Sequence, residues 1–585
     1  DREDASSGGS GVDRISCLGG NGRGNSFTVD GILQNDVYGL NDTGFSSRSS
    51  TPIPFDAVRE TQVQFAPFDV EYGQFTGCTI NVVTKGGTNR FHGGAFFEYS
   101  DDGLRGNHVK DLDVGAVDPD KRWGVSVGGP IIKDKLFFFG AYEWQKGGFA
   151  QDVGPAGAGY PNEIVGVPFE AFNEITDTIR ELYGIDSGPL ITSRPFTNKR
   201  WFGRLDWQIT DDHRLEATYQ RLNESTMQSD DNATSTFPQN AVGSNTFYLS
   251  GTKSKYYSGR LYSNWTDNLS TELRYSRSKI QDIQDPVGGG EAQDPDPIIR
   301  IIVGVDNPGI DGTVQVGPGF SRSANDLRTT VDQYRALANY DAGNHRLKAG
   351  FELNRTKIFN LFVQNAVGTL TFRNLTDLEN GILSPGTGNF DTFPSTFGVI
   401  SGSNEGAYVN ASRTGDVNDA AAKFKRSIYS LYAQDDWRVT DDLNLVLGLR
   451  TDWYSGDHPD ENPVFEERYG FKNTTGFSDL DPTILPRLGF TFTPADFSVF
   501  GRPKIQGGVG LFSGGDPVVW FANAFQNNGF GFAEGTTQSC TPGTFSPVLV
   551  GGEFTGFPEC AFDAAVDRAS DGLGDAQSVD PDVTV

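Results

Sequence analysis

The 585-residue sequence predicts an all-β fold, a transmembrane antiparallel β-barrel. Three observations predict it. From residue 91 onward, segments of about 10–15 residues alternate in polarity, the period of strands with two unlike faces. Short turns join these segments in pairs, and long polar loops separate the pairs. The composition combines only 36% hydrophobic residues with 12% aromatics, 44 of them Phe, and 73 Gly. That is wrong for a helical or α/β enzyme, and also for disorder, which is aromatic-poor.

Residues 1–90 lack the pairing rhythm and read as a small β-rich module with glycine-bearing turns, too small to bury much core alone. Beyond them the strands are legible one by one. Trp201, Gly203, Leu205, Trp207 and Ile209 oppose Arg204, Asp206 and Gln208. Leu347, Ala349, Phe351 and Leu353 oppose Arg346, Lys348, Glu352 and Asn354. Leu443, Leu445, Leu447, Leu449 and Trp453 oppose Asn444, Gly448, Arg450 and Asp452. Tight turns are expected at Thr210–His213, Thr266–Asn268, Asp341–Asn344 and Thr440–Asp442, where Asp and Asn tolerate left-handed backbone and bond it. Pro130–Lys135 and Thr493–Pro503 read as two slightly longer turns.

The other connections, 102–120, 147–196, 224–252, 282–326, 361–424, 456–483 and 514 to the end, are too long for ordinary loops of a compact domain. Short turns on one side and long loops on the other is the layout of an outer-membrane barrel. Only a closed barrel leaves no unpaired backbone in lipid. Trp201, Trp207, Trp265, Trp437, Trp453, Tyr257 and Tyr432 are expected near strand ends, where rings with a polar tip favour the interface. About thirteen strands are expected between 91 and 513. Because bacterial barrels are even-numbered and large ones have about 22 strands, the barrel is expected to be incomplete here, cut in an outer loop.

Acidic residues exceed basic ones, 76 against 48, for a net charge of −28, which disfavours nucleic acid as a partner. No apolar run approaches the ~18 residues of a membrane helix. Asp1-Arg2-Glu3-Asp4 is no signal peptide. Cys17, Cys78, Cys540 and Cys560 include no C-x-x-C pair, and the five His are scattered, which argues against a zinc site. Of the three pairings, the sequence-local one, Cys17–Cys78 with Cys540–Cys560, is weighed evenly against the alternatives, which include four free thiols. Disulfides would imply an oxidising compartment.

Within the first ninety residues stand Phe27-Thr28-Val29-Asp30-Gly31, Val58-Arg59-Glu60-Thr61-Gln62-Val63 and Tyr72-Gly73-Gln74-Phe75-Thr76-Gly77-Cys78-Thr79-Ile80-Asn81-Val82-Val83-Thr84-Lys85. Gly87-Thr88-Asn89-Arg90-Phe91-His92-Gly93 follows. These segments resemble the second half of the plug of TonB-dependent outer-membrane transporters, nearest to the Oar-like group. Cys78 replaces a glycine of that group's pattern. Tyr432–Trp437, Gly448–Arg450 and Gly507–Phe512 are similar to its barrel strands. The resemblance implies a division at residue 90: 1–90 as the C-terminal part of a plug inside the lumen, 91–585 as the N-terminal part of the barrel. It also implies a TonB-type energy-coupling partner. No TonB box, first plug half or C-terminal strand is recognised, so coupling is not read from these residues.

The plug-motif and gating candidates are Asp30, Gly31, Arg59, Glu60, Tyr72, Gly73, Gly77, Asn81, Thr84, Lys85, Asn89 and Arg90. Arg59 and Glu60 are expected to pair with wall charges such as Arg204, Asp206, Arg450 or Asp452, because remakeable polar contacts suit a gated path. No catalytic residue and no metal ligand is assigned. Gly124-Val125-Ser126-Val127-Gly128 matches a nucleophile pattern but lies inside a strand, without the helix that pattern needs. No cofactor is expected, and the acids at 282, 285, 294 and 296 read as solvated loop acids in preference to a Ca²⁺ site. Gly19–Gly24 lacks the following helix of a phosphate loop.

The expected function is active transport of a large or scarce ligand across the outer membrane, with loops extracellular and turns periplasmic. The rival is a surface adhesin or secretion-assembly scaffold. Lipid, lipopolysaccharide and a surface lipoprotein or other envelope protein complete the expected partners, and loop acidity favours cationic or Ca²⁺-bridged ligands.

Overall fold

The computed structural model describes all residues except 1–14, 18, 42–43, 106–107, 110–111, 114–117, 231, 233, 235–238, 306–311, 385–405, 495–502, 515–517, 542 and 584–585. The Thr493–Pro503 turn therefore lies largely outside the described residues.

A small sheet comes first. Strands β1 (Ser26–Val29), β2 (Ile32–Leu33), β3 (Val58–Phe65) and β4 (Cys78–Thr84) take the order β2-β1-β4-β3. The turn between β1 and β2 needs left-handed backbone at Asp30 (φ 48°) and Gly31 (φ 76°), which Asp tolerates and Gly adopts freely. Cys17 and Cys78 are disulfide-bonded beneath this sheet.

Thirteen strands follow and form one antiparallel sheet in which each pairs with its successor. They are β5 (His92–Ser100), β6 (Asp120–Ile132), β7 (Leu136–Ala150), β8 (Ser193–Gln208), β9 (His213–Gln228), β10 (Tyr248–Asn264) and β11 (Leu269–Ile283). The remainder are β12 (Asn325–Ala342), β13 (His345–Phe362), β14 (Ala422–Arg438), β15 (Leu443–Gly456), β16 (Thr483–Phe492) and β17 (Ile505–Gly510). The alternation fixes which face looks where. Leu205, Trp207, Leu273, Tyr275, Leu431 and Leu449 are exposed on the outer face. In water each such residue would forgo roughly 1.5–3 kcal/mol of burial; against lipid it does not. Arg204, Asp206, Arg450 and Asp452 alternate with them and turn inward.

The tight turns share one device. Thr210, Thr266 and Thr440 each use Oγ1 to accept the backbone N–H groups two and three residues on, at 3.0–3.3 Å. Thus Thr closes turns whose shape Asp and Asn permit.

Two expectations are corrected. Tyr432 is not at an interface: it is 4% exposed, because it shares strand parity with the inward Gln434. Its ring occupies the space that Gly350, directly opposite, leaves empty. The long connections are also not merely polar loops. Segments Gln239–Val242, Gly312–Val316, Arg300–Val305, Thr369–Phe372, Ala407–Ala411 and Ala533–Thr536 assemble in that order into a six-stranded sheet. Helix Phe169–Tyr183 covers it, and Ile164, Ile179, Ile301, Val303, Val314, Leu370 and Phe372 form its core. Helix Glu559–Ser570, bonded through Cys560 to Cys540, packs at the far edge. Each contributing run is only four to six residues long, too short to show which distant partners complete it.

Glu291, in the outer connection after β11, accepts the Asn325 backbone N–H at 2.8 Å. Burial, with the Asp285 charge beside it, pushes its carboxyl up to about 8. A folded pKa raised above the unfolded one gives stability that is full below about 4.5 and lost as pH rises through about 8. Amide-exchange protection at Asn325, corrected for the intrinsic exchange rate, should therefore fall between about pH 4.5 and pH 8. Glu291→Gln should flatten that dependence; an unchanged profile would contradict the assignment.

Candidate functional site

The N-terminal module lies against the inward face of the thirteen-stranded sheet, and carboxylates of the wall clasp its backbone. Glu224 on β9, with no exposed surface, accepts the Arg48 N–H at 2.6 Å, the Ser50 hydroxyl at 2.7 Å and both the N–H and hydroxyl of Ser49. The Arg48 side chain meanwhile pairs with Asp282 at 3.2 Å. Glu143 on β7 accepts the Phe55 N–H at 2.8 Å and is neutralised by Arg122 at 2.6 Å and Arg200 at 3.4 Å. Small apolar contacts add to this, chiefly Phe139, Ala141 and Phe202 of the wall against Val29, Ala57 and Val82.

A second clasp holds residues 67–73. The Arg450 guanidinium on β15 is fully buried. It pairs with Asp452 at 2.9 Å and Glu352 at 3.1 Å, and donates to Ser430 at 2.7 Å and to the Val70 carbonyl at 3.2 Å. Arg487 on β16 donates to the Asp69 and Tyr72 carbonyls, both at 2.8 Å, and Gln434 accepts the Val70 N–H at 2.9 Å. Lys348 binds Asp69 and Glu71, and Arg335 reaches Glu71 at 3.3 Å. Burial raises the Glu71 pKa, but Arg335 and then Lys348 outweigh it and hold the carboxyl below its usual value.

The candidates read from sequence fall into three groups. Asp30, Gly31, Asn81 and Thr84 come together. Asp30 accepts the Thr84 N–H at 2.9 Å and its hydroxyl at 2.6 Å, while Asn81 accepts the Gly31 N–H at 3.0 Å. Arg204 reaches Asp30 at 3.7 Å and also pairs with Asp206 and Glu216, both at 2.8 Å. Tyr72 and Gly73 belong to the Arg450–Arg487 clasp, whereas Gly77 packs on Asn25 beside Cys78. The Lys85 N–H bonds Ala57, and Asn89 bonds the turn at Asp134. Arg90 is exposed in the link to β5.

The expected pairing of Arg59 and Glu60 with the wall does not occur. β3 is the outer edge of its sheet, and both residues are exposed. Among the described residues neither forms an ion pair, and Glu60 accepts a hydrogen bond from Gln62. Asp30, Arg48, Asp69 and Glu71 supply charges facing the wall instead. Glu143, Glu224, Arg335 and the Asp69-Val70-Glu71 run were not singled out by sequence. Their signal is the parity of charged residues on the inward face, which says that they enter the lumen but not whom they meet.

Gly73 is where the second clasp tolerates no side chain: a Cβ there would overlap the Arg450 guanidinium. Gly73→Ala should destabilise seating of the module by about 1–3 kcal/mol. This can be read as faster protease cleavage in residues 66–77; unaltered cleavage would count against it.

Sequence comparison supplies the family. A model described as an outer membrane beta barrel domain matches residues 83–152 and 188–584. The chain belongs to this outer-membrane β-barrel family. It resides in the bacterial outer membrane. Over 126 residues, 20% of this chain and 11% of the relative, this barrel protein is 31% identical to the TonB-dependent transporter Oar of Myxococcus xanthus. The outer membrane transporter YddB from Escherichia coli superposes with a TM-score of 0.53 at 13% identity, over 88% of this chain and 56% of that one. That second likeness concerns fold. The chain spans about half the length of the solved transporter it matches.

Proposed function

We propose that this barrel protein is a TonB-dependent active transporter of the outer membrane, in which residues 1–90 act as the plug and the strands beyond them as the wall. The observation that carries this reading is the mode of attachment. The module sits on the inward face through hydrogen bonds and ion pairs to Glu143, Glu224, Arg335, Lys348, Arg450 and Arg487. Such contacts exchange for water and can be remade, as a module that must shift and return requires, whereas a continuous apolar core would resist separation. Asp30, Gly31, Asn81, Thr84, Tyr72 and Gly73 fix the internal shape of the plug and its seat. A large or scarce ligand would bind at the outer sheet and cross as the plug rearranges. A TonB-type protein would supply the energy, as the resemblance to Oar suggests.

The test compares host cells carrying the whole protein with and without their TonB-type coupling protein, measuring depletion of small molecules and peptides from a defined medium. Depletion that needs both proteins supports transport. No coupling-dependent depletion, together with stable co-purification of other envelope proteins, would favour the scaffold reading to which the folded outer sheet also lends itself.

A further inference from the structure

In the half of the lumen nearest the short turns, a cavity of about 780 Å³ separates the N-terminal module from the wall. Three arginines face it from consecutive strands: Arg260 on β10, Arg274 on β11 and Arg335 on β12. They stand in direct register, Arg260 opposite Arg274 and Arg274 opposite Arg335. Like charges so placed repel one another. The outer two are neutralised. Arg260 lies 3.5 Å from Glu272 and 3.9 Å from Glu216, while Arg335 lies 3.3 Å from Glu71 and 3.7 Å from Glu352. The Arg274 side chain forms no hydrogen bond or ion pair with any described residue. Its guanidinium rests on the backbone of Gly31, where any side chain would displace it.

We infer that Arg274 is the anchor of an oxyanion site in this cavity, taking a phosphate or carboxylate group. A guanidinium presents two parallel N–H donors that match such a group, and it stays charged at any pH the protein meets. Glu272 and Glu352 share the cavity lining with Arg274, but a bound oxyanion would supply the direct ion pair that the central arginine of the row lacks, and the cavity has room for it. Neighbouring Arg260 and Arg335 are already committed to carboxylates, so they do not compete for the same oxygens. The site does not depend on the transport reading, because it needs only the seated module and the wall.

The test uses the purified full chain in detergent, with inorganic phosphate as the first probe and acetate at matched ionic strength as the second. Phosphate should raise the unfolding midpoint of the wild type, as any ligand of the folded state does. Arg274→Gln should start at a midpoint no lower than the wild type in anion-free buffer, because a repulsive contact is gone, and should not respond to phosphate. Arg274→Lys, which keeps the charge but loses the fork, should bind about tenfold more weakly. Arg346→Gln, at an exposed turn, should respond like the wild type. A matching response to acetate that also needs Arg274 would extend the site to carboxylates, and a response to phosphate alone would restrict it to phosphate groups. The proposal is overturned if the wild type responds to neither anion, or if Arg274→Gln responds as the wild type does. Should Arg274→Gln fail to fold, wild-type affinity in Arg274→Lys would overturn it equally.

Discussion

Arg450→Met is expected to loosen the N-terminal module more than any other single change in the wall. The guanidinium is fully buried and joins two acids, Glu352 and Asp452, to the Val70 carbonyl and the Ser430 hydroxyl. Methionine fills much of the volume but leaves the buried Asp452 without its counter-ion and Glu352 with only the more distant Arg335, at 3.7 Å. Breaking a buried pair by removing one partner costs about 3–5 kcal/mol, since the remaining charge cannot regain water. Replacing all three together, Arg450→Met with Glu352→Gln and Asp452→Asn, should recover part of the loss, because the dominant penalty is the stranded charge. Protease accessibility of residues 66–77 and the temperature at which the folded barrel loses its fast gel mobility are the readouts. Single and triple variants of equal stability would contradict the account.

Glu224→Ala should open a leak. One carboxylate receives donors from three successive residues, Arg48, Ser49 and Ser50. Alanine removes the acceptor of the Arg48 and Ser49 N–H groups and of the Ser49 and Ser50 hydroxyls. Hydrogen bonds to a charged group contribute roughly 1.5–3 kcal/mol each, and they do not add fully. A loss on the order of 3–5 kcal/mol is therefore expected for the segment. Glu224→Gln should fall between, because it keeps one oxygen but turns an amide N–H₂ toward donors. Cells making the Ala variant should become sensitive to large antibiotics that the outer membrane normally excludes, and planar bilayers should show added conductance. Arg59→Gln with Glu60→Gln should leave both readouts at the wild-type level, because among the described residues neither forms an ion pair with the wall. A leak from the latter pair and none from Glu224→Ala would reverse the assignment of the clasp.

These two residues mark the limit of what could be read from sequence. Arg450 stands in an alternating strand between Leu449 and Thr451, so its inward direction follows from parity alone. Its partners do not, because Val70 lies 380 positions away. Glu224 comes at the end of an alternation that fades into a long connection, and its partners Arg48–Ser50 lie in a stretch without periodicity. Arg59 and Glu60 show the converse. A charged pair in a recognisable motif looked like the contact point, yet it occupies the free edge of a four-stranded sheet, and strand order is not written in local pattern.

The sequence by itself determined the strands of the barrel, their inward and outward faces and the sidedness of turns and loops. These depend on a period of two residues and on turn chemistry, both local. It also carried the outer-membrane family, through motifs shared with relatives. Only the tertiary structure decided which charges hold the N-terminal module, which pairs of cysteines are joined, and that four separate connections build a common sheet whose core is covered by a helix from a fifth. Each of those depends on the meeting of short segments far apart in the chain. A run of four to six residues has too few side chains to specify a distant partner until the folded wall brings both to the same place.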